Sequence, residues 1–221
     1  TVDTDPALLP GGQRGLSVTA SALKQFDGLV GGTVGSPTLL SFATAGAGSE
    51  QYATNVIAQS TISFGGAFTT TGNGASPALT VQSVNNQSIT FNGSVNSPNR
   101  TVNVNTGGVT RFNGDGLGSI VLVTDAGGTT ELNAPTQFSG PSLTFNDNVL
   151  LISNQSLSTQ RTTFGGTVNG AFTLNVSGSN GPGDAIIFAG TVGDSAGPTS
   201  LTLQGTSITQ FRGGTLNLGP G

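Results

Sequence analysis

A five-residue phrase, Phe-x-Gly-x-Val, recurs along this chain and constrains it more than any other feature. It occupies Phe26 to Val30, Phe91 to Val95, Phe164 to Val168 and Phe188 to Val192, with a near copy from Phe64 to Phe68. Degenerate copies begin at Phe112, Phe138 and Phe211. From Phe64 onward the phenylalanines are 27, 21, 26, 26, 24 and 23 residues apart. A repeat on this scale implies stacked units, each too small to bury its own apolar face.

The segments between the phrases read as short strands. "ALTV" at 78, "TVNV" at 101, "IVLV" at 120, "SLTF" at 142, "FTLNV" at 172 and "SLTL" at 200 alternate apolar with polar residues, and Gly, Asn, Asp and Pro bound them. Such alternation is the mark of strands joined by turns. Two or three strands per two dozen residues predict an all-β chain: a parallel right-handed β-helix, or β-solenoid, of about eight coils with a period of 21 to 27 residues. At ~4.8 Å per rung the rod would be about 40 Å long. The competing fold is an antiparallel β-sandwich, which calls for two-residue hairpin turns; here "NG" falls mostly inside the phrase. One amphipathic stretch, "SVTASALKQFDG" at 17 to 28, has the spacing of a helix ending at Gly28.

In a solenoid the phrase acquires a role. Phe26, Phe64, Phe91, Phe112, Phe138, Phe164, Phe188 and Phe211 would form one core ladder. Gly28, Gly66, Gly93, Gly166 and Gly190 would make room beside the rings or let the chain bend. Burying one Phe contributes roughly 1.5–3 kcal/mol, whereas ordering each backbone residue costs about 1–2, so only stacked coils are stable. Residues 1–60 read as an N-terminal arm with the first irregular coils, a cap or assembly segment, and residues 61–221 as the solenoid proper.

Composition narrows the function. Only 7% of the residues are charged, and the formal net charge is −4 with six basic residues thinly spread, so nothing resembles a footprint for nucleic acid. There is no Cys and no His, which removes disulfides, thiolate metal sites and the commonest general base. No apolar run is long enough for a membrane-spanning helix. With no Met anywhere, the chain reads as a processed form or a piece of something longer.

Phrases such as "TTFGGTVNGAFTLNV", "VTDAGGTTELNA" and "IIFAGTVGDSAGPTSLTLQGTSITQF" resemble the degenerate strand repeats of large bacterial surface proteins, of the filamentous-haemagglutinin adhesin and autotransporter-passenger type. The resemblance covers residues 60–221 well and the first 60 poorly. It implies a right-handed β-helix exported to the cell exterior as a stalk, adhesin or matrix fibre, without a conserved active site. Neither a secretion domain nor a membrane barrel of those families is visible in this chain.

Candidate chemistry is sparse. Asp125 and Asp147, 22 residues apart, would stack one coil apart and, with Arg161, offer the carboxylate pair of a carbohydrate-active β-helix. The plainer reading makes them turn residues, as "TDAGG" and "FNDN" suggest. The Gly/Asp nonapeptide of calcium-binding rolls is absent, no cofactor is expected, and the glycine run "LVGGTVGSP" at 29 to 37 reads as a loop. Asn residues in "VNVN", "LNV" and "LNL" are candidates for stacked amide ladders. The C-terminal "TLNLGPG" is a strand phrase without a cap, and "TVDTDPALLPGG" at the start could serve as an arm, so the expected partners are other copies of the chain and, secondarily, surface glycans. The expected function is that of a non-enzymatic, extracellular structural subunit; its rival is a glycan-binding or carbohydrate-active β-helix.

Overall fold

The structure, a computed structural model, describes residues 14–33, 36–37, 39–46, 48–72, 77–98, 100–114, 118–134, 137–178, 181, 183, 185–205 and 208–220. It is a parallel β-solenoid, and among the described residues there is no helix. Among the described residues the one antiparallel pairing is a two-residue ladder of Gly32–Thr33 with Ser36–Pro37, inside the stretch read as a loop. Every other strand pairing is parallel, as stacking of successive coils requires and an antiparallel sandwich does not allow.

Each coil visits three faces in turn. Face one is an eight-stranded sheet that begins with Arg14–Thr19 and Leu39–Ala45, continues through Ile62–Phe64, Ile89–Phe91, Val109–Phe112, Thr129–Leu132 and Asn148–Leu151, and reaches Val168–Asn169. Single bridges from Val168 to Val192 and from Val192 to Leu216 carry it further. Face two starts as a four-stranded sheet of Lys24–Phe26, Glu50–Tyr52, Phe68–Thr70 and Val95–Asn96. Face three runs from Val56–Ala58 through Leu79–Ser83, Thr101–Asn105 and Val121–Thr124. In the later coils the corner between faces two and three is crossed without a break: of the strand Gln155–Phe164, residues 155–158 pair with Thr173–Ser177 and residues 161–164 pair with Ala185–Phe188.

The amphipathic stretch at 17 to 28 is two strands, Arg14–Thr19 and Lys24–Phe26, and not a helix. The first pairs in parallel with Leu39–Ala45, and Leu23, which helical spacing would place inside, is 52% exposed. The first described strand thus belongs to the coil stack already; the proposed arm at residues 1–12 lies outside the described residues.

Register also revises the period. Ile62, Ile89, Thr110, Thr130, Val149, Val168 and Val192 are aligned on face one, which makes the central coils 19 to 21 residues long, shorter than the phenylalanine spacing suggested. The two 26-residue intervals from Phe112 to Phe164 hide these shorter coils, whose corners carry Leu132 and Leu151 in place of Phe.

Candidate functional site

The expected single ladder resolves into three aromatic stacks, one against each face. Phe26 stacks on Tyr52 (ring centroids 4.9 Å) and Tyr52 on Phe68 (4.7 Å) at face two. Phe64, Phe91 and Phe112 stack at face one, 4.9 and 5.1 Å apart and in direct register. Phe145, Phe164, Phe188 and Phe211 stack at face three, 5.6, 4.8 and 5.0 Å apart. Phe138 belongs to none of them: it pairs with Leu157 and meets Phe112 and Phe145 edge-on at 6.0 and 6.4 Å, joining the second stack to the third. Phe42, Tyr52 and Phe145 are core rings that the repeat did not mark. The phrase thus specifies a corner and not a face. Phe91 to Val95 turns from face one to face two, while Phe164 to Val168 turns from face three to face one.

The glycine of the phrase is fixed by the coil beneath. A methyl at Gly66 would lie 2.0 Å from the Gly48 carbonyl oxygen, at Gly93 2.4 Å from the Gly66 carbonyl, and at Gly190 2.1 Å from the Gly166 oxygen. A methyl at Gly166 would lie 2.5 Å from the Asp147 backbone carbonyl oxygen, and Gly114 and Gly213 continue the two columns. Gly28 is different, with nothing within 4 Å of the place a methyl would take.

Asp147 stands where the phrase has glycine, between Phe145 and Val149. The coil below uses residues 125–129 for the same corner, and the wider turn leaves room for a side chain. The Asp147 carboxylate is buried there and accepts hydrogen bonds from the hydroxyls of Thr124 (2.7 Å) and Thr130 (2.8 Å). Burial pushes its pKa up to about 6 against the opposing effect of those two donors, and the Asp125 charge adds to the rise. Asp125 is itself pushed upward, by burial. The two are not register partners: the alignment that pairs Val123 with Thr144 sets Asp125 opposite Asn146, and the Asp147 carboxylate is buried. Arg161 lies apart on the outside of face three, donating to the Gly183 carbonyl. The carboxylate pair expected of a glycosidase-like site is therefore not presented on a lateral face.

Amide stacking occurs, but at a corner. Asn113 donates to Asn92 (2.9 Å) and Asn133 to Asn113 (2.7 Å), each being the residue after the corner Phe or Leu. Asn103, by contrast, is aligned with Thr80 and Val123, and Asn175 with Ser156 and Thr202.

Two other buried polar groups escaped the sequence reading. Arg100 donates to the carbonyls of Ala53 (2.7 Å), Thr71 (2.9 Å) and Pro77 (2.9 and 2.7 Å), tying successive loops at one edge of the rod, and its burial lowers its pKa. Near the first coils, Glu50 is fully buried with Lys24 beside it, Nζ to Oε1 3.6 Å. Glu50 accepts from the Thr44 hydroxyl and the Gly66 N–H (2.8 Å) at Oε1 and from the Tyr52 hydroxyl (2.9 Å) at Oε2. Burial, and then the neighbouring Glu50 charge, push the Tyr52 pKa up, so the phenol stays a donor. The strand positions give no hint of this cluster, because alternation marks Lys24 and Glu50 as inward only after the face is known.

Phe211 stacks on Phe188 yet is 46% exposed, and Leu216 and Leu218 are exposed beside it. Among the described residues no helix is long and apolar enough to cross a membrane. No family model matches the chain, and comparison with curated proteins and with solved structures gives no match.

Proposed function

We propose that this chain is a structural rod, a segment of an extracellular bacterial fibre, matrix or adhesin, in which copies join end to end by continuing the coil stack. The observation that carries this reading is the continuation of the core rows into the last described coil. Its inward residues, Leu201 and Leu203 on face two, Phe211 on face three and Leu216 on face one, occupy the rows that bury their predecessors in every earlier coil. The first described coil has the same three-faced layout, with Leu16 on face one, Phe26 on face two and Val30 on face three. A strand edge of that kind is a template for further parallel pairing, and a contact that does not close on itself gives a filament. The export and the bacterial surface setting rest on the resemblance of the repeat and on its low charge.

Negative-stain microscopy and light scattering over a concentration series test the reading. Filaments lengthening with concentration are expected from the unaltered chain, and Phe211→Lys together with Leu203→Lys is expected to leave single rods that remain folded. Discrete rods from the unaltered chain at every concentration would overturn end-to-end assembly and turn attention to glycan binding on the lateral faces.

A further inference from the structure

We infer that Lys24 and Glu50 condense into an intramolecular amide that staples the first coil to the second. The two residues are direct register partners in adjacent strands of face two, Lys24–Phe26 and Glu50–Tyr52. Their side chains are 2% and 0% exposed, and the Lys24 nitrogen lies 3.6 Å from Glu50 Oε1. The distribution of partners around them is uneven. Glu50 gathers three donors besides Lys24, whereas the Lys24 nitrogen, which carries three protons as an ammonium, makes a single hydrogen bond among the described residues, to the Gly48 carbonyl at 3.3 Å. Two charges held away from water in this way are costly unless fully hydrogen-bonded.

The surroundings suit condensation. The ring of Tyr52 is packed between Phe26 and Phe68, with Phe42 and Phe64 at its edge, so water is kept from the pair. Coil stacking holds the reacting groups together, and fixed proximity of this kind replaces a bimolecular encounter by an intramolecular one. The Thr44 hydroxyl and the Gly66 N–H donate to Oε1, where negative charge develops when nitrogen adds to the carboxyl carbon. Gly65 donates its N–H to the Thr44 oxygen (2.9 Å), which fixes that hydroxyl's direction. The Tyr52 hydroxyl donates to Oε2, the oxygen that departs.

The reaction balances without a further reagent. A bond forms between Lys24 Nζ and Glu50 Cδ, and the bond from Cδ to Oε2 breaks. Two of the three ammonium protons leave with that oxygen as water, and the third stays on the amide nitrogen. No atom changes oxidation state. Both buried charges disappear, and Oε1 remains as an amide oxygen facing Thr44 and Gly66.

Mass spectrometry of the denatured chain decides. The expected result is a mass lower than that of the sequence by one water, no cleavage after Lys24 by a lysine-specific protease, and fragments placing the loss on the Lys24–Glu50 pair. Placement matters because cyclisation at the Asp27–Gly28 or the Asp115–Gly116 step removes the same mass, though neither blocks cleavage after Lys24 nor joins it to Glu50. Lys24→Arg, which keeps a cation against Glu50, should restore the full mass, and Tyr52→Phe, which keeps the ring stack, should leave a fraction uncondensed. Full mass in the unaltered chain with cleavage after Lys24, or loss of water mapped elsewhere, would overturn the amide. Neither outcome bears on end-to-end assembly, since the proposal does not rest on it.

Discussion

Gly190 has no left-handed backbone conformation, and yet a methyl on its Cα would lie 2.1 Å from the Gly166 oxygen. Its identity is therefore fixed by space: backbone passes over backbone at the corner, and the neighbouring coil has no flexible side chain to move aside. Gly28 occupies the same place in the phrase with open space around it. Gly190→Ala is expected to destabilise the fold by roughly 1–3 kcal/mol, the usual cost of overpacking. Gly28→Ala should stay within about 0.5 kcal/mol of the parent, as substitutions clear of packed features do. Urea denaturation of the two variants checks the pair, and equal effects would show that the phrase glycine is required for some reason other than coil contact. The same comparison explains why residue types in the phrase were readable while their reasons were not. Alternation announces that Phe points inward, but only the stacking of coils tells which glycine has a neighbour above or below.

At the scale of the corner, the informative case is the turn from Phe145 to Val149, where a carboxylate takes the place of glycine. Its folded pKa of about 6 lies above the usual ~3.9 of an unfolded Asp. The folded state then binds the proton more tightly, so this group's contribution to stability is greatest below about pH 4 and falls as pH rises through 6. The difference amounts to roughly 1–3 kcal/mol, weighed against the two threonine hydroxyls that already hold the charge. Denaturation midpoints should therefore rise between pH 7.5 and pH 4.5, and Asp147→Asn should be the more stable protein at pH 7.5 with a flatter profile. A profile unchanged by Asp147→Asn would place the carboxylate in a wetter corner than the structure shows. The sequence announced corners well: strands, turns and the Phe-x-Gly-x-Val phrase together led to a solenoid. It did not announce faces. Between Phe112 and Phe164 the corners carry Leu132, Leu151 and Thr124 where Phe stood elsewhere, so counting rings missed short coils and strung Phe138 into a ladder to which it does not belong. Asp147 was read as a turn residue, correctly as to place, but nothing in "FNDN" discloses two threonines waiting in the coil below.

For the whole molecule, stability depends on neighbours, and in this chain the last described coil stacks on one. Phe91 is buried between Phe64 and Phe112, whereas Phe211 has Phe188 on one side and is exposed on the other. In a stack of coils, opening is easiest where one interface must be broken instead of two. In dilute solution the amides of Ile208–Phe211 should exchange at least about tenfold faster than those of Ile89–Phe91. Raising the concentration should slow the former if copies stack end to end. Uniform protection along the rod at low concentration would mean that the terminal coil is held by something other than its single neighbour. Length in such a molecule is also unusually easy to change. The five-residue phrase turns the chain equally well from face one to face two and from face three to face one, so a tandem duplication of one coil's worth of gene brings its own working corner wherever it is inserted. A rod written in this way can be lengthened or shortened by whole coils without rewriting the residues on either side.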